Sequence, residues 1–347
     1  MKYKIVNGLV FQEDGFFKSE SVYMCDGKIV SKEAYLAASE TETLWDAAGG
    51  YVIPGLTDIH FHGCMGSDCC DGTAEAFRTI AEYELRQGVT SITPATMTMS
   101  EEVLSRICRC ARDYFHTDGA DLCGLYMEGP FISPAKKGAQ NEKYIRSADT
   151  EMLTRLQKIS GGMIRIVAIA PETKGAMDFI RQNSGSVRVS LAHTTADYDT
   201  AREALACGAS QLTHMYNAMM PFSHRAPGPI GAAADSRHCM VELICDGVHI
   251  HPAAVRTTFK IFGDDRIILI SDSMRATGLE DGQYDLGGQT VLVKGSLAVL
   301  EDGTIAGSAT NLMDCMRTAV RDMGIPLASA VKCAAVNPAK AIGLFDE

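Results

Sequence analysis

The chain has 347 residues, with 43 acidic and 32 basic side chains and a formal charge of −11 at pH 7. That balance argues against nucleic acid or an anionic membrane as the main partner, while leaving room for a local basic pocket that takes a phosphate. The length suits one large α/β barrel or two domains, and the twelve cysteines include no Cys-x-x-Cys pair of the zinc-finger or thioredoxin kind.

The opening Met1–Val6 reads as a strand and lacks the apolar core of a signal peptide. No segment approaches the length of a membrane span. Unpaired thiols in apolar segments suit a reducing compartment, so the cytoplasm is the expected location. Residues 3–9 and 21–30 read as a hairpin or meander turning at Asp26-Gly27-Lys28, with a short strand near Thr43-Leu44-Trp45.

From about residue 50 strands alternate with helices. The helices are expected at 75–87, 101–115, 151–159, 175–182, 198–206 and 251–262, and the strands at 89–93, 122–127, 164–169, 187–191, 211–213, 240–245 and 267–270. About seven or eight such units imply an α/β fold, a (β/α)8 TIM-like barrel. The main competitor is a doubly wound open sheet, but no Gly-x-Gly-x-x-Gly follows the first strand. Residues 284–300 return to a β pattern and are expected to pair with the N-terminal strands in a small β-sandwich domain formed by the chain ends. Helices are expected at 311–323 and 328–335. The division is then 1–50, first part of the small domain; 51–280, barrel; 281–304, second part of the small domain; and 305–347, a loop and helices returning to the barrel.

Asp58-Ile59-His60-Phe61-His62-Gly63 follows the first apolar run, and strand alternation puts His60 and His62 on one side, ~6–7 Å apart. Two imidazoles so placed can converge on one ion. Glu128, His193, His214 and Asp272 also come just after predicted strands, and in a barrel those positions surround one mouth. Glu128, His193 and His214 offer one carboxylate and two imidazoles, a set that leaves a position open for water. If His60 and His62 hold a second ion, Glu128 can bridge the pair, and Asp272 suits a proton shuttle. The same residues admit plainer roles: histidines capping loops, Glu128 accepting backbone hydrogen bonds in a turn, Asp272 as a helix cap. Asn217-Ala218-Met219 with His224-Arg225-Ala226-Pro227-Gly228 makes a loop carrying a cation for an anionic group, or else a solvated loop. Asp246-Gly247-Val248-His249 is a strand-end turn that aims His249 at ligand or at solvent.

These motifs carry a resemblance over nearly the whole chain. Pro54-Gly55-Leu56-x-Asp58-x-His60-x-His62-Gly63, Glu128-Gly129-Pro130-Phe131, Lys137-Gly138-Ala139, Leu191-Ala192-His193-Thr194 and Thr213-His214-Met215-Tyr216-Asn217-Ala218-Met219 are joined by Asp285-Leu286-Gly287-Gly288, Ile305-Ala306-Gly307-Ser308 and Asn337-Pro338-Ala339. Together they resemble the N-acetylglucosamine-6-phosphate deacetylases of the amidohydrolase superfamily. The resemblance implies hydrolysis of N-acetyl-D-glucosamine 6-phosphate to D-glucosamine 6-phosphate and acetate by a metal-bound hydroxide, with one or two divalent ions (zinc, iron, manganese or cobalt). It places metal ligands on Glu128, His193 and His214 and the catalytic aspartate on Asp272. Sugar and phosphate contacts fall on Ala139, Asn217, Ala218, Arg225, His249 and the Ile305-Ala306-Gly307 loop. It further implies a homodimer in which Arg225 reaches the neighbouring subunit's phosphate.

Three points depart from the family pattern. His60 and His62 are both present, which permits two metals. Gln140 stands where some members carry a histidine that polarises the acetyl carbonyl. The chain stops at Leu344-Phe345-Asp346-Glu347, short of the strands with which related proteins complete the small domain, so that domain is expected to be incomplete at its C-terminus. The alternatives are an amidohydrolase for another acetylamino-sugar phosphate or a cyclic amide, and a catalytically silent sugar-phosphate binding protein.

Overall fold

The apolar runs that the sequence intersperses with helices pair in parallel and in chain order. The computed structural model describes residues 1–12, 14–39 and 41–344; Phe345–Glu347, at the expected incomplete end of the small domain, lie outside the described residues. Leu56–Asp58 pairs with Val89–Ile92, which runs on as Ala95–Thr96 beside Leu125–Phe131. Ile164–Ile169, Arg188–Leu191, Gln211–Leu212, Met240–Ile244 and Ile267–Ile270 follow. The ring closes between the ends of the last and first strands: Asp272 N–H donates to the His60 carbonyl (3.0 Å) and His62 N–H to the Ser273 carbonyl (2.7 Å). The result is a (β/α)8 barrel.

Strand alternation sorts the apolar side chains into two sets. Tyr126, Ile166, Ala168, Ile244, Ile268 and Ile270 cluster inside the ring. Val167, Ile169, Val189, Leu191, Leu243 and Leu269 join the larger cluster with the surrounding helices. Those helices start at residues that satisfy their free N–H groups. Thr73, Ser100, Asp149 and Asp197 accept from Ala76, Val103, Met152 and Thr200 respectively. No helix among the described residues is long and apolar enough to cross a membrane.

Two expectations change. The strand expected at 122–127 is Leu125–Phe131, so Glu128 lies within it and Gly129-Pro130 does not end it. Gly129 makes this possible: its φ is 91°, and a Cβ there would fall 2.1 Å from Thr98 Oγ1. The segment 284–300 does not pair with the N-terminal strands. Gly282–Leu286, Gln289–Lys294 and Leu297–Leu300 form their own antiparallel meander, because tight connections favour the nearest strand in sequence. The N-terminal sheet is built around Lys2–Phe11, antiparallel to Phe17–Cys25 and parallel to Glu42–Asp46 and Tyr51–Val52. The two sheets form a small accessory β layer beside the barrel.

One helix carries a cost. Glu84, on Ala74–Arg86, is fully buried and neither carboxylate oxygen has a hydrogen-bond partner. Burial, reinforced by Asp58, pushes its pKa well above the usual carboxylate range. The folded state therefore holds this proton more tightly than the unfolded chain. Its contribution to stability is complete below the unfolded value of ~4.3 and is lost as pH rises through the raised folded value. Glu84→Leu, which removes the buried acid at similar volume, should stabilise the fold by about 1–3 kcal/mol near neutral pH. Thermal melts of both proteins from pH 5 to 9 should show the gap widening with pH; a constant gap would refute the assignment.

Candidate metal centre

Six side chains from five barrel strands meet at the carboxyl end of the ring. His60 and His62 follow the first strand, Glu128 lies on the third, and His193, His214 and Asp272 follow the fifth, sixth and eighth. His193, His214 and Asp272 have φ of 43°, 28° and 49°, a left-handed backbone that costs non-glycine residues on the order of 1–3 kcal/mol each. Gly63 is needed for close approach, since a Cβ there would lie 2.1 Å from the Ser67 carbonyl oxygen.

Glu128 is the shared member. Its Oε1 lies 2.9 Å from His193 Nε2 and 3.0 Å from His214 Nε2. Its Oε2 is 3.2 Å from His62 Nε2, and His60 Nε2 stands 3.7 Å from Oε1. Asp272 Oδ1 is 3.3 Å from His62 Nε2 and 3.9 Å from His60 Nε2. Two buried triads result, His60/His62/Glu128 and Glu128/His193/His214, each with donor atoms within 4.8 Å of one another.

The donor chemistry fits one or two divalent cations. His193 Nδ1 bonds the Lys136 carbonyl (2.8 Å) and His62 Nδ1 the Ala95 carbonyl (3.2 Å). In the neutral rings this turns both Nε2 lone pairs toward the cluster. His60 Nε2 and Asp272 Oδ1 are buried without a hydrogen-bond partner. Burial works to raise the pKa of Glu128, but His60, His193 and His214 outweigh it and hold the carboxyl well below its usual range. Asp272 is likewise lowered, with burial opposed chiefly by His62 and His60. Burial works to lower the imidazole pKa values, yet Asp272 and Glu128 hold His62 up at about 10, Glu242 and Glu128 raise His60, and Glu128 raises His214. A pocket that keeps carboxylates ionised and draws protons onto imidazoles binds divalent cations in exchange for those protons.

A cavity of about 370 Å³ opens on this cluster. His62, Glu128, His193, His214 and Asp272 form part of its wall, together with Ala139, Gln140, Asn217, Ala218, His249, Ile305 and Gly307. His60 is sealed beneath. Ala306 is also buried, its N–H held by the Ala298 carbonyl (3.0 Å), so it shapes the loop without lining the cavity. Arg225 stands apart, exposed at a separate recess with Thr195, Tyr198 and Met220. His249 Nδ1 bonds Asp246 Oδ2 at 2.7 Å, which fixes the ring against the wall. Gln140 is engaged by protein: its Oε1 accepts the Thr98 N–H (2.6 Å) and its Nε2 donates to Glu128 Oε2 (2.8 Å), with Met97 Sδ at 3.7 Å. It braces Glu128 instead of presenting its amide to a carbonyl in the cavity.

Sequence reasoning did not single out Glu242 and gave Asp58, though part of the leading motif, no role of its own. Glu242 bonds His60 Nδ1 at 2.8 Å. Asp58, pushed up to about 7 by burial, accepts from Ser271 Oγ (2.5 Å) and His60 N–H (3.2 Å). The available signal for Glu242 was a carboxylate within an apolar strand, Met240-Val241-Glu242-Leu243-Ile244.

The amidohydrolase family model matches residues 51–347. N-acetylglucosamine-6-phosphate deacetylase of Bacillus subtilis (strain 168) is 36% identical over 349 residues, covering 97% of this chain and 87% of that protein. N-acetylgalactosamine-6-phosphate deacetylase of Escherichia coli O157:H7 is 35% identical over 338 residues, covering 96% and 87% respectively. The crystal structure of N-acetylglucosamine-6-phosphate deacetylase from Pasteurella multocida superposes with a TM-score of 0.92 at 29% identity, covering 100% of this chain and 91% of that one. The chain belongs to the amidohydrolase family, in the branch of the N-acetylglucosamine-6-phosphate deacetylases.

The Gln140 bond to Glu128 is directly testable. Gln140→Leu should weaken metal binding about 10–100-fold, read by competition with a chelating dye. A raised KM with unchanged metal affinity would instead make Gln140 a substrate contact.

Proposed function

We propose that this amidohydrolase cleaves the acetamide of N-acetyl-D-glucosamine 6-phosphate with water, giving D-glucosamine 6-phosphate and acetate. The observation that carries this reading is Asp272 beside a Glu128 carboxylate shared by two histidine pairs, at the floor of a cavity of about 370 Å³. Glu128, His193 and His214 would hold one divalent cation, and His60, His62 and Glu128 a second. A cation held there supplies a Lewis acid that acidifies water and polarises the amide carbonyl.

The chain's own groups do the rest. Asp272 Oδ1 takes a proton from the attacking water and returns it to the amide nitrogen as the C–N bond breaks, so the amine leaves neutral. His62 Nε2 stands 3.3 Å from that oxygen, and the Asp272 N–H bond to the His60 carbonyl fixes the backbone that carries it. His249, Asn217 and Ala218 on one wall and Ile305 and Gly307 on another grip the sugar and fix the acetamide over the floor. Lys136 is the only lysine or arginine lining the cavity among the described residues, so a phosphate there needs a further cation. Arg225 from a second copy fills that need in a homodimer. The twelve free cysteines suit a cytoplasmic enzyme. A second reading, in which the galactosamine epimer is the substrate, rests on the 35% identity to the E. coli protein, against 36% to the B. subtilis one.

Purified protein should release acetate from N-acetylglucosamine 6-phosphate and lose this activity on chelation. Asp272→Asn should lower kcat by about 10²–10⁴ with the metal content unchanged. Full turnover in the variant would remove Asp272 from the proton path. Arg225→Ala should raise KM for the phosphorylated substrate, with little effect on any residual turnover of the unphosphorylated sugar. Equal losses on both substrates would deny it a phosphate role.

A further inference from the structure

The barrel interior carries a polar column that the reaction as described does not use. Glu242 lies fully buried in the middle of the apolar seventh strand. Its Oε2 accepts the His60 Nδ1–H (2.8 Å) and the His214 backbone N–H (2.9 Å). Its Oε1 accepts from Gln211 Nε2. Gln211 Oε1 in turn accepts from Arg188 Nε, and Arg188, the first residue of the fifth strand, also donates to the Ser210 carbonyl (3.0 Å). The column thus runs from the start of one strand to the centre at the opposite end of the ring.

Two features separate Glu242 from a polar residue that merely fills space. His62 and His193 are oriented by neutral carbonyls, those of Ala95 and Lys136. His60 alone among the described histidines of the cluster is oriented by a carboxylate through Nδ1. With Nδ1–H committed to Glu242, Nε2 presents a lone pair toward Glu128 Oε1 (3.7 Å) and Asp272 Oδ1 (3.9 Å), with no hydrogen-bond partner of its own. Charge supplies the second reason. Two divalent cations bring four positive charges, while Glu128 and Asp272 supply two negative ones; Glu242 adds a third that is sealed from water. A carboxylate behind a ligating imidazole strengthens the ligand and fixes its ring.

We propose that Glu242 is the positioning residue that makes His60/His62/Glu128 a second cation site. This rests on the two-cation reading above. Glu242 holds the His60 ring in the ligating tautomer and offsets the second ion's charge, while Gln211 and Arg188 hold Glu242 in place. At the Glu128/His193/His214 site Glu242 touches only the His214 backbone N–H, a bond that a glutamine oxygen also accepts, so that site does not need the Glu242 charge.

Wild type, Glu242→Gln and the swapped pair Gln211→Glu/Glu242→Gln are stripped, loaded with Mn(II) and desalted. Metal per chain is then measured by elemental analysis, and the Mn(II) pair by electron paramagnetic resonance. The swap keeps the charge, the volume and a hydrogen-bonded Gln–Glu pair, and sets the carboxylate beside Arg188, so it preserves the fold if the single change does not. Wild type should hold two ions with a spin-coupled spectrum. Both variants should hold one, with an uncoupled six-line spectrum, their second-site affinity down about 10–100-fold. Two coupled ions in the swapped pair would overturn the proposal, whatever its melting temperature. A wild type with a single ion would remove the two-cation reading itself, and the role of Glu242 with it.

Discussion

The centre depends on one buried anion. Glu128 is 2% exposed and kept ionised inside a protein, a condition that burial alone opposes strongly. It survives because imidazoles from the ends of three different strands, His62, His193 and His214, stand within 3.2 Å of its oxygens. None of these contacts is local in sequence: His193 is 65 residues away and His214 is 86. The carboxylate is therefore compensated only when the barrel is closed. The backbone bonds that close it, from Asp272 to His60 and from His62 to Ser273, belong to the residues that surround Glu128. Ring closure and the centre thus share His60, His62 and Asp272.

The two halves of the centre are built differently. His193 and His214 face the cavity, with Glu128 between them, where a substrate carbonyl can approach. His60 is sealed below, oriented from behind by Glu242. Of the second pair only His60 is enclosed; His62 reaches the cavity beside Glu128 and Asp272. Asp272 sits at the seam, its backbone N–H on His60 and its Oδ1 beside His62, so its carboxylate is placed by the ring closure itself.

What could be read from the sequence was what local periodicity encodes. Strands 164–169 and 267–270 and helix 198–206 occur with the expected bounds, because their apolar spacing and caps are self-contained. The centre was legible for a related reason. A barrel places the residues just after its strands around one mouth, so His60, His62, His193, His214 and Asp272 could be gathered without knowing any contact. What escaped was what depends on partners far along the chain. Glu242 meets His60 across 182 residues, and nothing near either one announces the other. Gln140 reads as a free amide until Thr98 and Glu128 are seen to use both of its ends. The meander at 282–300 was assigned to the wrong neighbours because alternation defines a strand's faces but not the strand beside it.

The substrate's charge leads to the remaining architecture. A sugar phosphate brings about two negative charges, and away from the metal-binding floor the cavity wall answers with Lys136 alone among the described lysines and arginines. Arg225 is exposed, and so are its neighbours Met220 (36%) and Phe222 (51%). Arg225 shares its recess with Met220 and Tyr198, apart from the cavity over the metal centre. Within one chain the cavity wall therefore sets a single lysine against the phosphate, and Arg225 is not part of that wall.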